Sequence, residues 1–294
     1  MNLLKFINYS LFIKNKNHQN PLLLNVNFDI NEGDTVLLTA PNGAGKSTIL
    51  AELTGYDYRY IDNNSSIVRS GDVEYKDSNN QAILLNPNGR NNEIFQNDYV
   101  FISQDDEQSF PLVLDCFTSS IVKKNKKPIK EVFEFVKNNR IYESVIHDDK
   151  KVSLNLRCKK LLTSIEQDIS DGASIKTAEY LLTKVKSLSG GQLKFLNIMS
   201  NLVKYRYSRL VLIDEPLNNL DYESVRRFCN ILTGIHNECP KLAFLIVTHC
   251  QSIPIINRVL EIDPKTKTIN EIANADKSDI CKSCFGKIEK GYYI

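Results

Sequence analysis

The stretch Ala40-Pro41-Asn42-Gly43-Ala44-Gly45-Lys46-Ser47-Thr48 constrains this chain more than any other. The apolar run Thr35-Val36-Leu37-Leu38-Thr39 leads into it, and Ile49-Leu50-Ala51-Glu52-Leu53 reads as a helix behind it. A buried strand that turns sharply into a helix leaves free backbone N–H groups at the helix start. Together with the helix dipole they form an anion site. Gly43 and Gly45 let the backbone close around a phosphate chain, which a Cβ would obstruct. Lys46 can reach β- and γ-phosphates, and the Ser47 hydroxyl can ligate Mg²⁺. The usual loop pattern opens with Gly; Ala40 stands there instead, the smallest replacement.

Composition narrows the class. A chain of 294 residues can bury one large core, or one core with a subdomain. Its 42% apolar and 24% charged residues are ordinary globular values, and a formal net charge of +2 gives no global pull toward nucleic acid or an anionic membrane. No apolar run approaches the roughly 18 residues of a membrane span. Met1 to Lys5 lacks the basic and long apolar regions of an export signal, so none is expected. Seven scattered cysteines, an odd number, predict reduced thiols and a cytoplasmic setting. Membrane association would then come through a partner.

Residues 2–13 and 22–30 read as strands, with Asn31-Glu32-Gly33-Asp34 as a hairpin turn into the phosphate-loop strand. Phe12 or Tyr9 could stack on a purine, or simply fill the core. Short strands at 67–75, 81–86 and 98–103, with Asn-Pro-Asn-Gly at 86–89 as a turn, predict a small antiparallel layer, unless the Asn-rich stretch is compositional bias with loop disorder. Gln104 closes the strand Tyr99–Ser103. Beyond it, 112–123, 129–138, 151–168 and 175–186 carry three- and four-residue apolar spacing and predict helices.

Leu188-Ser189-Gly190-Gly191-Gln192 follows. Ser189 and Gln192 have capping-box spacing ahead of an apolar helix containing Phe195, Leu196 and Met199. Two successive glycines weaken a helix and are odd in a merely structural cap. They make sense if a ligand approaches this helix start closely. Arg209 to Pro216 reads as a buried parallel strand ending in two carboxylates, where ligands sit in open α/β sheets. Asp214 suits a Mg²⁺ ligand and Glu215 a base for an attacking water. Asp221 is a natural N-cap for a helix over 222–235. A last core strand, 242–247, ends at Thr248-His249, so His249 could face a γ-phosphate.

Taken together, these residues resemble the nucleotide-binding subunit of the ATP-binding cassette (ABC) superfamily, over about residues 2–272. The order matches: the loop at 40–48, Gln104, the signature at 188–192, the acidic strand at 210–215, Asp221 and His249. The resemblance implies an α/β fold: a P-loop NTPase core with a mixed sheet, an antiparallel β subdomain and a helical subdomain. It implies boundaries at 1–103, 104–187, 188–275 and a tail at 276–294. It also implies a head-to-tail dimer, of two copies or with a paralogue, holding two ATP molecules. Each ATP would lie on Lys46, Ser47 and Thr48 of one chain, capped by Ser189 and Gly191 of the other. Gln104 would sense Mg²⁺ and the attacking water, His249 would hold the γ-phosphate, and Asp221 would link the two sites.

The activity implied is ATP hydrolysis that energises transport by a separate membrane-spanning subunit, with the chain on the cytoplasmic face of the membrane. The alternative is a soluble ABC ATPase on a macromolecular assembly, such as an iron–sulfur scaffold. For docking, Asp105 to Phe117 offers an apolar centre at Phe110-Pro111-Leu112-Val113, unless these join the helical core. The basic run at 123–127 is read as a solvated loop, and no nucleic acid is expected. Cys281-Lys282-Ser283-Cys284 has half-zinc-site spacing; a dimer could complete it, a redox pair is possible, and two reduced tail cysteines are preferred.

Overall fold

The computed structural model describes residues 1–15, 18–41, 43–55, 66–85, 93–103, 110–122, 124, 127–146, 154–217, 220–248 and 253–272. Asn42, Gln104, His249, Cys281 and Cys284, the turn at 86–89 and most of the basic run at 123–127 lie outside the described residues. The chain divides into two compact units. One holds Met1–Ser103, Ser208–Pro216 and Thr233–Ile294; the other holds Gln104–Tyr207 and Leu217–Leu232.

In chain order the first unit begins with β1 (Asn2–Lys14), β2 (Gln19–Asn31), β3 (Thr35–Thr39) and α1 (Lys46–Thr54). Then come β4 (Ser66–Lys76), β5 (Ala82–Leu84), α2 (Glu93–Asp98) and β6 (Tyr99–Ile102). The second unit contributes α3 (Val113–Ile121), α4 (Pro128–Asn138), α5 (Leu156–Ser164), α6 (Gly172–Leu181) and α7 (Gly190–Leu202). After β7 (Leu210–Asp214), α8 (Tyr222–Glu238) starts in the second unit and ends in the first. The first unit closes with β8 (Ala243–Val247), β9 (Arg258–Ile262) and β10 (Ile269–Glu271).

Its strands form two sheets, an antiparallel one in the order β2-β1-β4-β5 and a mixed one in the order β10-β9-β3-β8-β7-β6. Strands β3, β7 and β8 are continuous apolar runs, as strands covered on both faces must be. Parallel pairing sets Leu38 beside Val247, and Asp214 beside Val247 on the other edge of β8. The phosphate loop and the two acids therefore leave the same end of the sheet.

Several expectations are corrected by pairing. Asn31–Asp34 is a tight turn, closed by the Asp34 N–H donating to the Asn31 carbonyl at 3.1 Å, yet it joins no hairpin. β2 pairs with β1 while β3 pairs with β8 and β9, so the turn passes the chain from one sheet to the other. Strand β6, expected in the antiparallel layer, pairs in parallel with β7. Strand β8 is not the last: β9 adds to β3 and β10 to β9. The charges in β9 disguised it, but Arg258 is held by Asp34 at 2.5 Å and Glu271 at 2.8 Å. The long helix over 151–168 is shorter, because Asn155 caps α5 by accepting from the Cys158 N–H at 2.9 Å. Asp171 likewise starts α6.

Strands β1 and β2 are bulged, with Asn8 (φ 47°) and Asn25 (φ 49°) in the left-handed region. Gly71 in β4 lies against this bulge at φ +79°, and a Cβ there would come within 2.3 Å of the Asn8 carbonyl oxygen. Gly71→Ala is expected to destabilise the protein by about 2–4 kcal/mol, from overpacking and left-handed strain together. The drop in urea midpoint measures it.

Candidate functional site

Strand β3 delivers the chain into the loop, and α1 begins at Lys46 with Gly45 (φ 100°) as N-cap. Gly43 is also left-handed, at φ 76°. A Cβ on Gly43 would meet no protein atom within 4 Å, and one on Gly45 only ordinary contacts with β2. Within the chain the glycines are needed for backbone conformation, not for space. Ala40 is buried where the usual pattern has Gly, and the turn forms regardless.

Lys46 is 6% exposed. Its Nζ donates to the Ala40 carbonyl at 2.9 Å and the Pro41 carbonyl at 3.4 Å. Burial pushes the ammonium below the usual lysine range, opposed by the negative charges of Glu215 and Asp214. The Ser47 hydroxyl donates to Asp214 Oδ1 at 3.1 Å. Two oxygens about 2.9 Å apart form one edge of an Mg²⁺ octahedron with ligands at about 2.0–2.1 Å. The hydroxyl and carboxylate therefore fit a hard divalent cation.

Glu215 follows β7, is 7% exposed, and its N–H donates to the Val247 carbonyl at 2.8 Å. Its φ is 46°, a conformation that costs a non-glycine residue about 1–3 kcal/mol and gathers at functional sites. The structure thus brings Lys46, Ser47, Asp214 and Glu215 together in the first unit. Thr48 continues α1, half-buried. Tyr9 is taken out of the purine role: it is 3% exposed and its hydroxyl is hydrogen-bonded to Glu52, which also pairs with Arg69. Phe12 stays half-buried in β1, in register with Pro21 and Val68.

The second unit carries the signature residues. Ser189 caps α7: its Oγ accepts from the Gln192 N–H at 3.3 Å, and Gln192 Oε1 accepts from the Ser189 N–H at 3.0 Å. Gly190 and Gly191 form the first turn with ordinary helical backbone, and Ser189 and Gly190 are exposed. A Cβ on Gly190 would meet nothing within 4 Å. Asp221 caps α8, accepting from the Ser224 N–H at 2.8 Å and its hydroxyl at 2.9 Å. Of the expected docking centre, Val113 is fully buried, while Phe110 is 39% exposed. Pro111 and Val113 pair through backbone bonds with Val185 and Thr183.

Sequence reasoning missed the groups that hold these residues: the carbonyls of Ala40 and Pro41 for the Lys46 ammonium, and of Val247 for the Glu215 backbone N–H. Backbone acceptors leave no residue-type signal. Among the described residues, no cluster of three His, Cys, Asp or Glu side chains could hold a metal, and no helix is long and apolar enough to cross a membrane.

Residues 23–218 match the model of the ABC transporter family. The spermidine/putrescine import ATP-binding protein PotA of Legionella pneumophila is 26% identical over 79% of this chain and 49% of its own length. The chain spans 29% to 60% of the length of several curated relatives that it matches. Two solved structures share the fold. One is the dimeric ABC transporter cassette MJ0796, at TM-score 0.62 and 19% identity, over 92% of this chain and 98% of that one. The other is cbiO1 of Clostridium perfringens, at TM-score 0.63 and 18% identity, over 98% and 95%.

Gly190→Ala separates fold from ligand. Alanine in an open first-turn position is expected to leave stability unchanged or raise it by up to about 1 kcal/mol. Nucleotide turnover is expected to fall sharply. Thermal melting and phosphate release on one preparation check both; unchanged turnover would remove this helix start from the site.

Proposed function

This chain belongs to the ABC transporter family, and from that premise we propose that it is an ATP-binding and ATP-hydrolysing subunit that energises transport by a separate membrane-spanning partner. The observation that carries this reading is the convergence of Lys46, Ser47 and Asp214 at the end of one sheet, with Ser47 and Asp214 3.1 Å apart.

The triphosphate of ATP would lie on the N–H groups at the start of α1, where the helix dipole favours negative charge. Lys46 would trade the Ala40 and Pro41 carbonyls for β- and γ-phosphate oxygens, so the buried ammonium keeps partners in both states. Ser47 and Asp214 would hold Mg²⁺, which when bound offsets phosphate charge. Glu215 would accept the proton of the attacking water, with its backbone fixed by Val247. Gln104 and His249 would orient that water and hold the γ-phosphate. Asn42, Gly43, Ala44 and Thr48 would complete the phosphate contacts, and Phe12 would stack on adenine.

Ser189, Gly190, Gly191 and Gln192 would close on an ATP held by a second copy or a paralogue, and Asp221 would reach across the same interface. Exposed Ser189 and the bare first turn of α7 support this: a second helix N-terminus is on offer to an anion. ATP would join the two subunits and hydrolysis would part them; that difference in free energy is what moves a membrane partner. The chain would work on the cytoplasmic face of the membrane, held there by that partner. The four units implied by the motifs, 1–103, 104–187, 188–275 and 276–294, remain the proposed functional division of the chain.

Glu215→Gln is expected to slow hydrolysis by about 10²–10⁴-fold, the usual contribution of a general base, while leaving ATP binding intact. Light scattering should then show twice the monomer mass with ATP and Mg²⁺. A monomer at saturating nucleotide speaks against the sandwich. Lys46→Ala should abolish binding of a fluorescent ATP analogue or turnover; unchanged hydrolysis takes Lys46 out of the site. Co-purification of a polytopic membrane protein from native cells checks the transport assignment, and a soluble complex instead supports the scaffold role.

A further inference from the structure

Gln192 makes one bond more than a capping box needs. Besides its exchange with Ser189, its Nε2 donates to the Ser144 carbonyl at 3.0 Å. Ser144 ends a single 3-10 turn, Ile141–Ser144, anchored by buried Ile141 and Tyr142. The turn is tightened by the Ser144 hydroxyl on the Ile141 carbonyl at 2.8 Å. The preceding residue, Glu143, faces another element: Oε2 accepts from Arg227 of α8 at 2.6 Å, and Oε1 lies 3.0 Å from Arg140 Nε. The Glu143 and Arg227 side chains are 13% and 25% exposed, so their bond keeps a strength that an open pair such as Arg226–Glu223, at 61% and 54%, loses to water. One short turn thus grips the start of α7 through Gln192 and the start of α8, capped by Asp221, through Arg227. All of these residues belong to the second unit.

We infer that Glu143 and Arg227 are positioning residues that lock the Ser189 end of α7 and the Asp221 end of α8 into one body, so that both meet a nucleotide-loaded second subunit together. The inference rests on the ATP-joined dimer proposed above. Neither residue touches ATP. Their effect is to fix the spacing between the Ser189 group that would cap ATP and the Asp221 group that would cross the interface, and misplacement by about 1 Å is enough to lower a rate a hundredfold.

The test pairs Glu143→Gln with Arg227→Met in one chain, which removes the pair without stranding a buried charge. Turnover should fall roughly ten- to hundredfold. The Hill coefficient for ATP should drop toward 1, and affinity for a fluorescent ATP analogue in the monomer should stay within about twofold of the parent. The charge swap Glu143→Arg with Arg227→Glu should restore part of the cooperativity. Should the first pair fail to fold, Arg227→Gln alone removes the charge that bonds Glu143 Oε2, leaves Glu143 beside Arg140, and should show a fall in Hill coefficient. Parent-like turnover and cooperativity in these variants overturn the inference. So does a loss that tracks a lowered melting temperature and is not recovered by the swap, since that marks a mere brace. A parent that stays monomeric and non-cooperative with ATP sinks the dimer reading itself, and the inference with it.

Discussion

A lysine ammonium at the first position of a helix has the wrong sign for its place. The N-terminus of α1 is already positive, and Lys46 adds a buried full charge to it. Burial disfavours the charged form, and the Ala40 and Pro41 carbonyls and the nearby acids offset that cost. Gly43 and Gly45 accept positive φ without the strain a side chain would bring, and so let the loop turn back to present those carbonyls. Most of what surrounds the loop follows: a fully buried strand to bring it in, and acids at the end of β7 to balance it.

The acids need the sheet as much as the loop does. Strand β8 lies between β3 and β7 and sets both in register, so its last residue, Val247, pairs with Leu38 on one side and Asp214 on the other. The same Val247 carbonyl takes the Glu215 N–H and so holds a carboxylate in a strained backbone conformation. An apolar strand with no reactive side chain therefore fixes the geometry of the reactive ones. Weakening β8 would loosen Asp214 and Glu215 together.

What was legible in the sequence was local. The loop, the capping box of Ser189 and Gln192, the Asp221 cap and the buried runs of β3, β7 and β8 each follow from residues within a few positions. Gly33 and Asp34 marked a true turn, but not which sheet the next strand would join, because that depends on β8 and β9 far along the chain. Strand β9 hid behind Arg258, whose charge reads as solvated until Asp34 and Glu271 are seen around it. Tyr9 looked free to stack on a base until Glu52 claimed its hydroxyl. The grip of one turn on α7 and α8 was invisible for the same reason: Ser144 and Gln192, like Glu143 and Arg227, are distant in sequence.

A sequence tuned only for folding agrees with itself at every level, so its local violations are informative. Three stand out. Lys46 places positive charge at a positive helix end, Glu215 holds a non-glycine backbone at φ 46°, and α7 opens on two glycines although a Cβ on Gly190 would touch nothing. Each carries a local cost to the fold. Alanine would serve α7 better, and a neutral residue would suit the start of α1. Lys46 and the bare turn of α7 each offer positive charge or close approach, which is what a polyphosphate would use. Glu215 and its neighbour Asp214 would supply the acceptor and the cation ligand that phosphate transfer to water requires. A structural origin would have to explain the charge at Lys46 and the bare turn of α7 separately, whereas the polyphosphate proposed above would account for both.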